Sequence, residues 1–154
     1  MNNTDKIEFI SHRGNINGVI FDEENSPFYV EQAIKKDFSV EVDIWKIKSD
    51  LYFGHDFPRY LVSIEFLKKY EDRLYLHCKN HDAFEFLYES PFEIFWHTDE
   101  DFCLTTKGNI WAKPNSCKLN NRIEVQLKYD ENFDTKNLLG ICSDEIELYK
   151  KEAK

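Results

Sequence analysis

Three short apolar runs within the first sixty residues each lead the chain into a cluster of ionisable side chains. Residues 7–10 run into Ser11-His12-Arg13-Gly14, residues 38–44 carry Glu41 and Asp43, and residues 51–53 run into Gly54-His55-Asp56. In the middle run Val40, Val42 and Ile44 alternate with Glu41 and Asp43. A strand there turns its apolar side chains one way and both carboxylates the other. Two carboxylates on one strand face repel unless a cation or a base joins them. Polar groups gathered at strand ends are how an α/β scaffold presents chemistry. The inventory of two imidazoles, one guanidinium and three carboxylates suits a hard cation and an anionic substrate.

The rest of the chain alternates strand and helix signals. Ser26 as N-cap and Pro27 at the first helical position open a helix to about Lys36, with Tyr29, Val30, Ala33 and Ile34 inward and Lys35 and Lys36 in the last turn. Residues 45–53 read as a small hairpin around Ser49-Asp50. Ser63 opens a second helix through Tyr70, and residues 81–88 form a third that ends before Pro91. Further strands are expected at 73–78, 92–96, 109–112, 122–127 and 138–142, a short helix at 99–104, and a charged helix at 145–154. That amounts to about seven strands and three or four helices.

The ordered set His12-Arg13-Gly14, Glu41-x-Asp43 and His55-Asp56 resembles the glycerophosphodiester phosphodiesterase and phospholipase C-like phosphodiesterase family. The resemblance covers residues 6–58 and thins after Lys79. It implies a TIM-type barrel. A full (βα)₈ barrel typically needs about 250 residues, and this chain has 154. The expectation is therefore an α/β fold, a reduced or partly open TIM-type (βα) barrel of about seven strands, within one domain spanning residues 1–154. The bland alternative is an open α/β sheet without phosphate chemistry.

The resemblance also assigns roles. His12 and His55 become the acid/base pair of phosphodiester cleavage, and two imidazoles can serve both functions near neutral pH. Arg13 and Lys79 become phosphate ligands, Arg13 through its planar fork and Lys79 as a point charge. Glu41 and Asp43 become ligands of a divalent metal ion. Where the family carries a further acidic ligand, this chain has His77. A nitrogen ligand turns preference from Mg²⁺ or Ca²⁺ towards Mn²⁺ or Zn²⁺, and it leaves open a metal-free route with a basic group in the metal's place. Asn25, in the partial motif Glu24-Asn25-Ser26, is placed to hydrogen-bond the strand-two carboxylates or to orient a histidine. His97, Asp99, Lys113 and Asp144 follow later strands and are further candidates for substrate contact.

Composition bounds the alternatives. A net charge of -9 argues against a nucleic-acid or anionic-membrane surface. No run has the length of a membrane span and none resembles a signal peptide, so a cytoplasmic protein is expected. Cys78, Cys103, Cys117 and Cys142 form no CxxC pair, which argues for buried thiols over a structural zinc site. With 16% aromatic residues, large rings can fill a small barrel. The reading is a hydrolase acting on a small-molecule phosphodiester. Its alternative is an inactive phosphodiester-binding pseudoenzyme. Exposed barrel edges leave room for a homodimer.

Overall fold

The computed structural model describes residues 6–153; the polar stretch Met1 to Lys6, which reads from sequence as a frayed start, lies outside the described residues except for Lys6. The elements follow in chain order as β1 (Glu8–His12), α1 (Pro27–Lys35), β2 (Ser39–Ile47), β3 (Asp50–Phe53), β4 (Tyr60–Val62), α2 (Ile64–Lys69), β5 (Leu74–Cys78), α3 (His81–Leu87), β6 (Glu93–Phe95), β7 (Phe102–Leu104), β8 (Ile110–Ala112), β9 (Arg122–Val125), β10 (Leu138–Ser143) and α4 (Ile146–Glu152). Seven strands run parallel in the order β6-β5-β2-β1-β10-β9-β8. The sheet curls into a partly open TIM-type barrel. The antiparallel hairpin β3–β4 extends the upper half of β2 on the side of β1, and β7 lies antiparallel on β8.

Local chemistry starts the helices where the sequence places them. Ser26 Oγ accepts from Tyr29 N, Ser63 Oγ from Phe66 N and Asn80 Oδ1 from Ala83 N, each satisfying an orphan first-turn donor. Val30 and Ala33 of α1 are buried, while Tyr29 and Ile34 are half-buried. These helices cover one side of the barrel. The outer core lies between them and the sheet, with Val40, Val42, Ile44, Leu74 and Leu76 facing Ala33, Ala83, Leu87, Ile146 and Tyr149.

A second core fills the barrel interior with Ile10, Tyr75, Phe95, Trp111, Ile123 and Cys142. Three of these six are large rings, which is how a short chain packs the lumen. Phe95 stacks on Trp111 with centroids 4.6 Å apart, and Tyr75 lies 5.5 Å from the same indole. No ladder joins β6 to β8. The seam is spanned by the Phe95–Trp111 stack inside and by the turn after β7. There Thr106 N donates to Ile94 O (2.9 Å), Ile94 N to Thr106 Oγ1 (3.1 Å) and Thr105 Oγ1 to Glu93 Oε1 (2.7 Å).

Two local expectations change. The segment expected as a short helix at 99–104 ends in strand β7, because Phe102 to Leu104 pair with β8 and tertiary pairing overrides weak helical propensity. The three-residue strand β4 lies where no strand was expected. Of the four cysteines, all free, Cys78, Cys117 and Cys142 are buried and Cys103 is half-buried. Among the described residues no helix is long and apolar enough to cross a membrane.

Because Trp111 is the ring that both Phe95 and Tyr75 meet, Trp111→Ala should cost about 3–5 kcal/mol of stability, read from urea unfolding. A loss under about 1 kcal/mol would show that the seam does not depend on the stack.

Candidate active site at the C-terminal mouth

The site is built from side chains two residues beyond the interior core. His12 follows Ile10, His77 follows Tyr75, His97 follows Phe95, Lys113 follows Trp111 and Asp144 follows Cys142, while Asp43 lies two beyond Glu41. With period-two alternation, six of the seven parallel strands contribute one such residue to a polar crown at the C-terminal mouth, while β9 carries Val125 at that position. The expectation that strand ends converge is met there, with Glu41 and Asp43 buried beneath.

Asp43 is the hub. Its Oδ2 lies 3.1 Å from Arg13 Nε and accepts from Asn25 Nδ2 at 2.9 Å, while its backbone N donates to Asn25 Oδ1 at 3.0 Å. Its Oδ1 lies 3.1 Å from His77 Nδ1 and 3.8 Å from Lys79 Nζ. Asn25 thus makes the contact with strand two that the sequence suggested. Arg13 reaches Asp43 through a tight turn. Asn15 N donates to His12 O at 2.9 Å, and φ is +57° at Arg13 and +93° at Gly14, the signs of a type I′ turn. A Cβ on Gly14 would meet the Tyr29 ring at 2.5 Å, which explains the glycine of His-Arg-Gly.

His12 is held from behind. Its Nδ1 lies 2.7 Å from Asp144 Oδ1, and its Nε2 is 3.8 Å from Glu41 Oε2. Asn15 Nδ2 donates to both Asp144 Oδ1 (2.8 Å) and Glu24 Oε1 (2.7 Å). Burial alone lowers the pKa of His12, but the Asp144 hydrogen bond and the charge of Glu41 outweigh it, and the net shift is upward. Burial pushes the Asp144 carboxyl up; the His12 and Asn15 contacts win and hold it low. Glu41 is raised by burial and by the charge of Asp43. For Asp43 the opposing burial effect is overcome by His77 and Arg13, and its carboxyl stays low.

Among the described residues, two groups of side chains have the donor types and spacing for a divalent cation: Glu41, Asp43 and His77, and His12, Glu24 and Asp144. They differ in what they lack. In the first, Glu41 Oε2 and Asp43 Oδ1 are buried without a hydrogen-bond partner, a costly state that a bound cation would relieve. In the second, Asn15 and Arg13 already serve the carboxylates. The residues present fit a metal at the first group.

His55 stands apart from the crown. It lies on the loop after β3, its side chain is 42% exposed, and its Nδ1 pairs with Asp56 Oδ1 at 2.7 Å. It shares with Arg13 and Glu24 a cleft of about 260 Å³. Gly54 sets this loop: φ is +152° and a Cβ would meet Phe57 O at 2.1 Å. Three larger hollows lie elsewhere, about 930 Å³ at the N-terminal mouth beside Glu8 and Arg73, about 670 Å³ between β4 and α2, and about 360 Å³ beside His81 and Trp96. None of the three is lined by a residue of the crown, so size does not locate the chemistry.

Asn15 was not singled out by sequence reasoning, and nothing local marks it, since it acts across 129 positions on Asp144; Glu24 entered only as part of the partial motif Glu24-Asn25-Ser26, with no role assigned. Asp144 was one of several residues after later strands, with no signal tying it to His12. Compared with protein-family models, curated proteins and solved structures, the chain matches none at a significant level.

The His12–Asp144 pair carries a pH signature. A raised His12 contributes stability that is complete below its ordinary value of 6.5 and is lost as pH rises through the raised value. A lowered Asp144 contributes above its ordinary 3.8 and loses it as pH falls through the lowered value. The stability gap between wild type and Asp144→Asn should therefore be widest from about pH 4 to 6.5, on the order of 1–3 kcal/mol, and shrink in alkaline buffer. Thermal unfolding of both proteins across pH measures it. A gap that widens above pH 8 contradicts the assignment.

Proposed function

We propose that the chain is a phosphodiester hydrolase acting on a small, glycerophosphodiester-like substrate, the activity its resemblance to the glycerophosphodiester phosphodiesterase family implies. The observation that carries this reading is the convergence of His12, Arg13, His77 and Lys79 on the buried Glu41–Asp43 pair. Such a mouth combines proton-transfer groups with cations able to hold an anionic group.

Arg13 and Lys79 hold the phosphoryl oxygens and stabilise charge as it builds on them. Of His12 and His55, one takes a proton from the attacking water and the other gives a proton to the leaving alkoxide. The P–O bond to the alcohol breaks, and a phosphomonoester and the free alcohol result. Asp144 presents the His12 ring with Nδ1 turned away and Nε2 towards the mouth. Glu41, Asp43 and His77 would hold a divalent ion. When bound, such an ion supplies positive charge that polarises a phosphoryl oxygen. The nitrogen donor of His77 favours Mn²⁺ or Zn²⁺ over Mg²⁺ or Ca²⁺.

One observation favours a second reading, a phosphodiester-binding pseudoenzyme. His55 is exposed and bonded to its neighbour Asp56, outside the crown that holds His12. Binding needs Arg13 and Lys79 but not two poised imidazoles.

A screen of glycerophosphodiesters and cyclic phosphates with several divalent ions separates the two. Wild type should cleave at least one compound, and His12→Ala and His55→Ala should each lower turnover by about 10² to 10⁴, with little change in binding. Arg13→Ala should weaken binding as well. Binding without cleavage above the double-histidine variant selects the pseudoenzyme. On chelator-treated protein, calorimetry should show Mn²⁺ or Zn²⁺ binding more tightly than Mg²⁺, and Glu41→Gln should weaken it. No divalent ion binding at millimolar concentration removes the metal from the proposal.

A further inference from the structure

Two members of the crown, His97 and Lys113, have no part in the hydrolysis just described. We infer that His97, backed by Lys113, is a substrate-contacting residue whose Nε2 binds an oxygen of the phosphodiester from the β6 side, across the mouth from His12. The inference rests on the reading of this mouth as a phosphodiester site.

Position comes first. Phe95 points into the barrel interior, and His97, two residues on, follows the same alternation to the mouth. Its ring centroid is 6.4 Å from that of His77, and its carbonyl oxygen lies 2.9 Å from His77 Nε2. Along the order β1-β2-β5-β6, His12 and His97 therefore flank the Glu41–Asp43–His77 group from opposite sides.

The ring's hydrogen bonding comes second. Nδ1 is buried and has no hydrogen bond, with Glu100 Oε2 3.4 Å away. Glu100 is itself fixed by Thr98 N at 2.8 Å and Thr98 Oγ1 at 3.1 Å. Nε2 is not among the buried unpartnered atoms and has no protein partner among the described residues. The side chain is only 15% exposed. A histidine kept for structure normally uses a ring nitrogen to satisfy a neighbour; this one leaves the outer nitrogen open.

The support beneath it comes third. The stretch after His97 is pinned by Lys113 N to Asp101 O (2.9 Å), Lys113 Nζ to Asp99 O (2.6 Å) and Ser116 Oγ to Asp101 O (2.8 Å). The backbone that follows His97 is thus fixed, as the support of a binding group must be.

The test is imidazole ¹⁵N NMR and calorimetry on the intact protein, with inorganic phosphate and dimethyl phosphate as probes. Both probes should shift the His97 Nε2 resonance. His97→Ala should weaken their binding about tenfold. His97→Gln, whose amide nitrogen reaches the place of Nε2, should recover most of it, and Lys113→Met should lose a few-fold. Should His97→Ala fail to fold, the wild-type Nε2 shift decides alone. Binding that leaves the His97 resonance unmoved and survives His97→Ala overturns the inference while the site reading stands. Failure of wild type to bind either probe overturns both.

Discussion

Placing two carboxylates side by side on one buried strand face is the constraint that the rest of this structure answers. Removing such charges from water costs several kcal/mol each unless partners replace the solvent. Each partner of Asp43 comes from a different part of the chain. The left-handed turn after β1 brings Arg13 back over β2, the approach to α1 supplies Asn25, and the β2–β5 register sets His77 beside Asp43. None of these could shift by one residue without stranding a charge. Glu41 is less well served, and its raised proton affinity reflects that.

The same constraint decides what the sequence could disclose. Strand two was legible because alternation is a local signal, and the helix starts were legible because a cap acts three residues away. The polar strand ends were legible too, so His12, Glu41, Asp43, His77 and Lys79 are all found around one mouth. What could not be read depends on distance along the chain. The bond from Asn15 to Asp144 joins the first and last thirds of the protein, and no pattern in either announces it. Sequence order also says little about side-chain direction on a loop. His55 follows its motif faithfully, yet its ring faces outward beside Asp56. Strand β7 was misread because Asp99, Glu100 and Asp101 look like an acidic first helical turn, while the deciding partner, β8, lies further on.

The conflict between a barrel pattern and a short chain is resolved by two economies. Large rings occupy the lumen, so few residues fill it. After β6 the connections give up their helices. Between β8 and β9 a loop covers the sheet, and fully buried Glu124 holds it in place, accepting from Asn115 N at 2.7 Å and pairing with Arg122 Nη2 at 2.6 Å. A buried ion pair there does with a few atoms what a packed helix does elsewhere.

The seam between β6 and β8 has a dynamic consequence. Elsewhere neighbouring parallel strands are tied by backbone ladders, which must break together. Along this one line the tie is a stacked pair of rings and a few turn contacts, which can be lost and remade singly. The barrel therefore has a preferred line of breathing, and β7, β8 and β9 form the part of the molecule whose amides should exchange first. Lys113 lies on that part and His97 on its far bank, so any parting of the seam changes the width of the mouth.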